Sequence, residues 1–236
     1  MERNGEQDGR LSPFRYDLIM VAASRDAILQ RITQTAIDSC RKEGNVNVIL
    51  IETFQRTNYR GVDLLIEYKG MFNYNRALNM GIREAKGDIF ILANNDLIFL
   101  PGWSTIGYTM RDNGYLSACA LSNDPRQRAY PEGDHCFENY VVGHGMAGWC
   151  IFADHNLFTK IGELDESYVF WWSDNAYADQ LIGNGIKHAL ICNVRVNHLV
   201  SYTLNRVSRR ERKEYTRMIY AKRKEILKIN PKNIQT

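Results

Sequence analysis

The chain has 236 residues, 44% of them hydrophobic and 24% charged, with 30 Lys/Arg against 27 Asp/Glu for a formal net charge of +3. That length suits one ordinary globular domain with a real core. No apolar run approaches the roughly 18–20 residues of a membrane span, and the opening MERNGEQDGRLSPFRYD is polar where a signal peptide is apolar, so a cytoplasmic protein is expected.

Residues 1–14 read as a flexible start. YDLIMVAAS is then a short apolar run bounded by polar residues, the pattern of a buried strand. A helix follows: Asp26 is placed to cap it, Ile28, Ile32, Ala36 and Ile37 form its apolar face as far as Cys40, and Gly44 ends it. NVNVILIET and DLLIEYK are two further strands. In FNYNRALNMGIREAKG the residues Ala77, Leu78, Ile82 and Ala85 share one helix face, with Gly87 as the stop, and the segment leads into the apolar strand DIFILANND.

Strands alternating with helices over the first hundred residues imply an α/β domain, with a mostly parallel central sheet covered by helices on both faces. In such sheets ligands collect at the carboxyl ends of the strands. DIFILANND closes there on Asn94, Asn95 and Asp96 after a nearly unbroken apolar run.

The second half is less regular and more aromatic. PGWSTIGYTM is expected to be helical after Pro101, NDPRQRAYPEGDHCFENY is a polar stretch, and VVGHGMAGWCIF is rich in glycine. An aromatic loop then precedes a helix from about Asp174 to Ile182, a turn at Gly183 and Gly185, and a strand ending near His198. No repeat or linker divides the chain. Cys40, Cys119, Cys136, Cys150 and Cys192 are odd in number and never spaced C-x-x-C, which argues for reduced packing residues over a disulfide framework or structural zinc.

From Arg206 onward eleven Lys/Arg face three Glu, a net +8 that leaves −5 on the rest of the chain. Tyr215, Met218, Ile219 and Ile226 recur there at helical spacing, so residues 205–236 read as a basic helical extension packed on the domain by one face, or as an element that binds polyanions. Either way an exposed basic stripe attracts phosphates.

The run ALNMGIREAKGDIFILANNDLIFLPGW resembles the family-two glycosyltransferases of the GT-A fold, with Asn79, Gly81, Ala85, Gly87 and Asp88 in place. A second block agrees with it: Gly162, Leu164, Asp165 and Glu166 in GELDE, an aromatic run, Ser173 and Asp174 at the family's acid pair, and the late V-x-H that ends at His198. The resemblance spans roughly Leu18 to His198 and implies one GT-A domain over residues 15–204, Rossmann-like in build.

It further implies an inverting transfer of a sugar from a nucleoside diphosphate, UDP being the family's commonest, to an acceptor hydroxyl with help from Mn²⁺ or Mg²⁺. Such a cation stabilises the charge that the leaving diphosphate gains. The acidic motif that presents carboxylate to it corresponds to Asn94, Asn95 and Asp96, so Asp96 alone supplies charge and Asn94 at most a carbonyl. His198 is the further candidate ligand, since imidazole suits Mn²⁺ better than Mg²⁺.

Asp174 is the expected general base, taking the acceptor's proton on the side of the sugar opposite the diphosphate; its plainer role would be the N-cap of the following helix. The donor-binding positions implied are Ala23 and Ser24 after the first strand, Glu52 at the end of the second, Arg76 and Asn79 beside the N-x-G element, and Gly148 with Trp149. His144 is placed to line the acceptor side. The acceptor is a saccharide or glycan, or a polyanion such as hydroxymethylated DNA drawn in by the basic tail. A nucleotidyltransferase would need a phosphate loop that VAASRDAILQ lacks. A catalytically weak module binding nucleotide sugars or nucleic acid remains the alternative, motivated by the depleted acidic motif.

Overall fold

The computed structural model describes residues 13–168 and 172–199. Residues 1–12, the basic extension expected over 205–236, and Phe170 and Trp171 of the aromatic run lie outside the described residues.

Strands β1 (Arg15–Ala22), β2 (Asn45–Glu52), β3 (Leu64–Glu67) and β4 (Ile89–Asn94) alternate with helices α1 (Ala27–Arg41) and α2 (Tyr74–Glu84). These strands pair in parallel in the order β3-β2-β1-β4. The runs of β1, β2 and β4 are apolar without alternation because both faces are covered, whereas β3 is the partly exposed edge. Leu18 and Met20 join Val48, Leu50 and Ile91 in one core cluster with Ala36, Ile37 and Cys40 of α1. Ile19 and Val21 join Ile49, Ile51 and Leu92 in the other with Ala77 and Leu78 of α2. Each fully buried Leu or Ile contributes about 1.5–3 kcal/mol relative to exposure.

Asp26 caps α1, accepting from the Ile28 and Leu29 amides at 2.9 Å each, and Gly44 supplies a left-handed turn after it at φ +78°. Gly81 lets α2 lie close on the sheet, since a Cβ there would fall 2.4 Å from Ile19 Cγ2.

Beyond β4 come β5 (Leu97–Phe99), a 3₁₀ turn at Trp103–Thr105 leading into α3 (Ile106–Asn113), β6 (Ser117–Leu121), β7 (Cys136–Glu138), β8 (Cys150–Asp154), α4 (Leu157–Ile161), α5 (Ser173–Gly183) and β9 (His188–His198). The sheet continues β4-β8-β6-β9-β5, with β7 also on β9. Here it is mixed, because β8 runs antiparallel to β4 and β6, and β5 and β7 antiparallel to β9, while β6 and β9 are parallel. The parallel sheet expected from the sequence is thus its first four strands, and one continuous α/β sheet carries the whole domain. Among the described residues no helix is long and apolar enough to cross a membrane, and all five cysteines are free.

Candidate active site

A cavity of about 550 Å³ opens at the carboxyl ends of β1 and β4. The chain leaves β1 for β2 on one side and later adds β4 on the other, so the cavity sits where the strand order reverses, the place where open α/β sheets bind ligands. Val21, Leu78, Leu92 and Ile151 form part of its apolar lining, while Ala23, Asn94, Asn95, Asp96, Gly148, Trp149, Asp174 and His198 of the expected site residues all line it.

Asp96 occupies the turn between β4 and β5, and His198 closes β9. The antiparallel register sets Leu97 opposite His198, and the Leu199 amide donates to the Asp96 carbonyl at 2.8 Å. Both side chains are buried, and His198 Nε2 lies 3.2 Å from Asp96 Oδ1. That contact lacks hydrogen-bond geometry, and Nε2 has no hydrogen-bond partner among the described residues. The imidazole stacks on Trp149 at 5.0 Å and 7°, and the His198 amide donates to Asn123 Oδ1 at 2.8 Å.

A buried ring nitrogen and a buried carboxylate oxygen facing one another fit a divalent cation such as Mn²⁺. The two asparagines are engaged elsewhere: Asn94 Oδ1 accepts from the Tyr74 hydroxyl at 2.8 Å, and the Asn95 amide donates to Thr33 Oγ1 at 2.8 Å. Among the described residues no cluster of three His, Cys, Asp or Glu side chains suits a metal; a cation held by this pair would fill its other positions with further oxygens, such as those of a phosphate or water.

Asp174, which lines the same cavity, sits in the first turn of α5. The N-cap position belongs instead to Trp172, which has no side-chain cap bond and is the one non-glycine with positive φ among the described residues, at φ 69° and ψ 5°. Asp174 therefore does not fill the capping role the sequence allowed it; its Oδ1 accepts the next amide, Asn175, at 3.0 Å. Burial raises its pKa, outweighing the lowering by the Asn175 and Asp174 amides and by the Arg126 charge. Gly148 leaves room for it, since a Cβ there would lie 2.7 Å from Asp174 Cβ. Tyr74 lies within electrostatic reach of both carboxylates: burial pushes its hydroxyl up, and the charges of Cys150, Asp96 and Asp174 add to the shift.

The remaining expected residues stand behind the cavity wall. Glu52 is 2% exposed, and its carboxylate accepts from the Ser24 amide at 3.0 Å, the Phe54 amide at 2.9 Å and the Ser24 hydroxyl, which also meets Tyr59. Ser24 and Glu52 thereby brace the loop that carries Ala23, Arg25 and Thr53 into the cavity. Asn79 is fully buried: its amide donates to the Leu164 carbonyl at 2.9 Å and to Glu166 Oε1 at 3.1 Å, and its oxygen accepts the Leu164 amide at 2.9 Å.

Asn73 and Asn75 likewise donate to the Glu166 and Asp165 carbonyls at 2.6 and 2.7 Å, and Arg76 pairs with Glu166 at 2.8 Å. The N-x-G helix and the GELDE segment, eighty-odd residues apart in sequence, are in this way one clasp under the site. His144 is exposed and lies outside the cavity lining.

Sequence reasoning missed Tyr74 and Arg126. Tyr74 reads as one more apolar helix residue until its hydroxyl is seen on Asn94. Arg126 belongs to the polar stretch NDPRQ, where an Asp-Pro-Arg turn was the available signal. Asp124 accepts from the Arg126 amide at 2.9 Å and from its Nε at 3.0 Å, and its other oxygen takes Nη2 at 2.9 Å. The bond to Arg126 holds the Asp124 carboxyl below its ordinary range.

No family model and no curated protein matches the sequence. Solved structures do. The chain is similar to GalNAc-T7, solved with UDP, GalNAc and Mn²⁺, at a TM-score of 0.61 and 14% identity over 78% of this chain and 44% of that one. It is also similar to S. aureus TarS, at 0.60 and 8% for the 1–349 fragment (78% and 60% covered) and at 0.61 and 9% for a longer TarS chain (79% and 37% covered). The described chain thus spans less than two thirds of each of these relatives. The shared architecture is the GT-A-type glycosyltransferase fold.

Proposed function

We propose that this chain is an inverting glycosyltransferase that moves a sugar from a nucleoside diphosphate, a UDP-sugar in the first instance, onto a saccharide hydroxyl. The observation that carries the reading is a single cavity lined by the Asp96–His198 pair and by Asp174. A cation bound by Asp96 and His198 would offset the charge that develops on the leaving diphosphate. Ala23, Arg25 and Thr53 border the part of the cavity suited to the nucleoside, with Glu52 and Ser24 holding that loop from behind.

Asp174 accepts the proton of the attacking hydroxyl. Its raised pKa makes it a stronger base than an exposed carboxylate. Trp172, 40% exposed at the cavity, offers a ring surface of the kind that sugar faces pack against. The GT-A-type fold shared with GalNAc-T7, whose crystals hold UDP, GalNAc and Mn²⁺, supports the donor and the cation.

The competing reading, a module that binds nucleotide sugars without turning them over, draws on the two asparagines where further carboxylates would stand. The test is release of nucleoside diphosphate from a panel of nucleotide sugars with Mn²⁺ present. Turnover of at least one donor that disappears in Asp174→Ala and Asp96→Ala is expected. Binding without turnover would favour the module.

A further inference from the structure

The triplet beside His198 is poor in negative charge. Asp96 is the one carboxylate of its triplet, Asn94 is engaged by Tyr74, and Asn95 is turned onto Thr33. A cation held by one carboxylate and one imidazole binds more weakly than one held by several carboxylates. The leaving diphosphate keeps the same charge whatever holds the metal, so another cationic group is needed opposite it.

Arg126 meets that need by geometry. Its guanidinium lines the cavity and lies over the Trp149 ring at 5.9 Å, the same ring on which His198 stacks. Asp124 fixes its orientation through Nε and Nη2, leaving Nη1 without a partner among the described residues. Nη1 rests against Gly143, where a Cβ would come within 2.2 Å of it and where φ is +85°, so both the room and the backbone suit glycine. A planar donor, oriented in advance with one N–H edge free, suits a phosphate oxygen.

We propose that Arg126 is a direct contact of the donor's diphosphate, sharing with the cation the charge of the leaving group. Nucleoside diphosphate binding then survives, weakened, without metal. This rests on the glycosyltransferase reading and adds a residue to it.

The test is calorimetry of UDP and of uridine with the wild type, Arg126→Gln, and the double variant Asp124→Asn/Arg126→Gln, which leaves no carboxylate stranded beside a lost partner. Each is measured in Mn²⁺ and in EDTA, with melting temperatures as the check on folding. In EDTA the wild type is expected to bind UDP, and both variants to bind it about tenfold or more weakly, the scale of one lost charged hydrogen bond. Uridine affinity stays level.

Equal UDP affinity for variants and wild type in EDTA overturns the proposal, as does a parallel loss for UDP and uridine, or wild-type binding that EDTA abolishes. A wild type that binds UDP under neither condition removes the glycosyltransferase reading together with this one.

Discussion

Asp96 and His198 meet across the β5–β9 pairing with Oδ1 and Nε2 3.2 Å apart, although the residues are a hundred positions distant in sequence. The short strand β5 exists to make that meeting: three residues after the polar triplet pair with the end of β9 and turn the imidazole onto the carboxylate. Loss of either side chain is therefore expected to remove the response of nucleotide binding to Mn²⁺. Outer partners of metal ligands alone are worth about 10–100-fold, so Asp96→Asn and His198→Ala are expected to lower Mn²⁺ affinity, in the presence of UDP, by at least about 100-fold. Titration of Mn²⁺ into protein saturated with UDP measures it.

Asp174→Asn is expected to lower kcat by about 10²–10⁴-fold, the range of a lost general base. The same change is expected to raise the melting temperature at neutral pH. Burial raises the native pKa of Asp174, so its protonated form favours folding and its ionisation, as pH rises through that pKa, opposes it. The stability gain from Asn should be present near pH 7 and vanish at pH below about 4, where the wild-type carboxyl is neutral in both states. Activity of the wild type, in turn, should fall on acidification at a higher pH than an ordinary Asp would dictate.

His188 provides an independent pH signature. It is fully buried, with Nδ1 2.7 Å from Ser117 Oγ and Nε2 3.2 Å from the Gly145 carbonyl, and burial lowers its pKa to about 4. A depressed histidine contributes stability that is present above the unfolded value near pH 6.5 and is lost as pH falls toward about 4. The loss amounts to about 3 kcal/mol at roughly 1.4 kcal/mol per pKa unit. His188→Gln should flatten denaturant-derived stability over that window; an unchanged slope would mean that another group titrates there.

Gly148→Ala places a methyl group where only 2.7 Å separates it from Asp174 Cβ. Either Asp174 or the glycine loop must shift, and a misplacement of about 1 Å can cost 10²-fold in rate. The expected outcome in steady-state kinetics is a fall in kcat of about that size, with the melting temperature within a few degrees of the wild type.

Asn79→Ala separates support from contact. Removing the amide strands the Leu164 amide and carbonyl in the core, at about 1–3 kcal/mol for each unsatisfied group. A large loss of stability with UDP affinity of the folded protein unchanged is expected. Weakened UDP binding at full stability would return Asn79 to the donor site.

Much of this was legible from residue pattern. The apolar runs of β1, β2 and β4 announce strands covered on both faces, and Asp26 and Gly44 mark the limits of α1. Asp96, Asp174 and His198 stand out because they close or open such elements. Less legible were β6 and β8, whose five-residue runs SACAL and CIFAD carry no period and sit beside glycine-rich and polar segments. Ser24, Glu52, Arg76 and Asn79 illustrate a different limit: a polar residue at a motif position reads the same whether it faces a ligand or braces the loop that does. Only the bonds of Glu52 to Ser24 and Phe54, and of Asn79 to Leu164, distinguish the two. Arg126 escaped notice because an arginine in a polar turn looks solvated until Asp124 and Trp149 are found around it.

The most direct measurement is anomalous diffraction from crystals grown with UDP and Mn²⁺. The expected result is one strong manganese peak bound by Asp96 and His198 and shared with the diphosphate, with Asp174 facing the sugar side of the same cavity. A UDP bound elsewhere, or manganese absent from the Asp96–His198 pair, would contradict it.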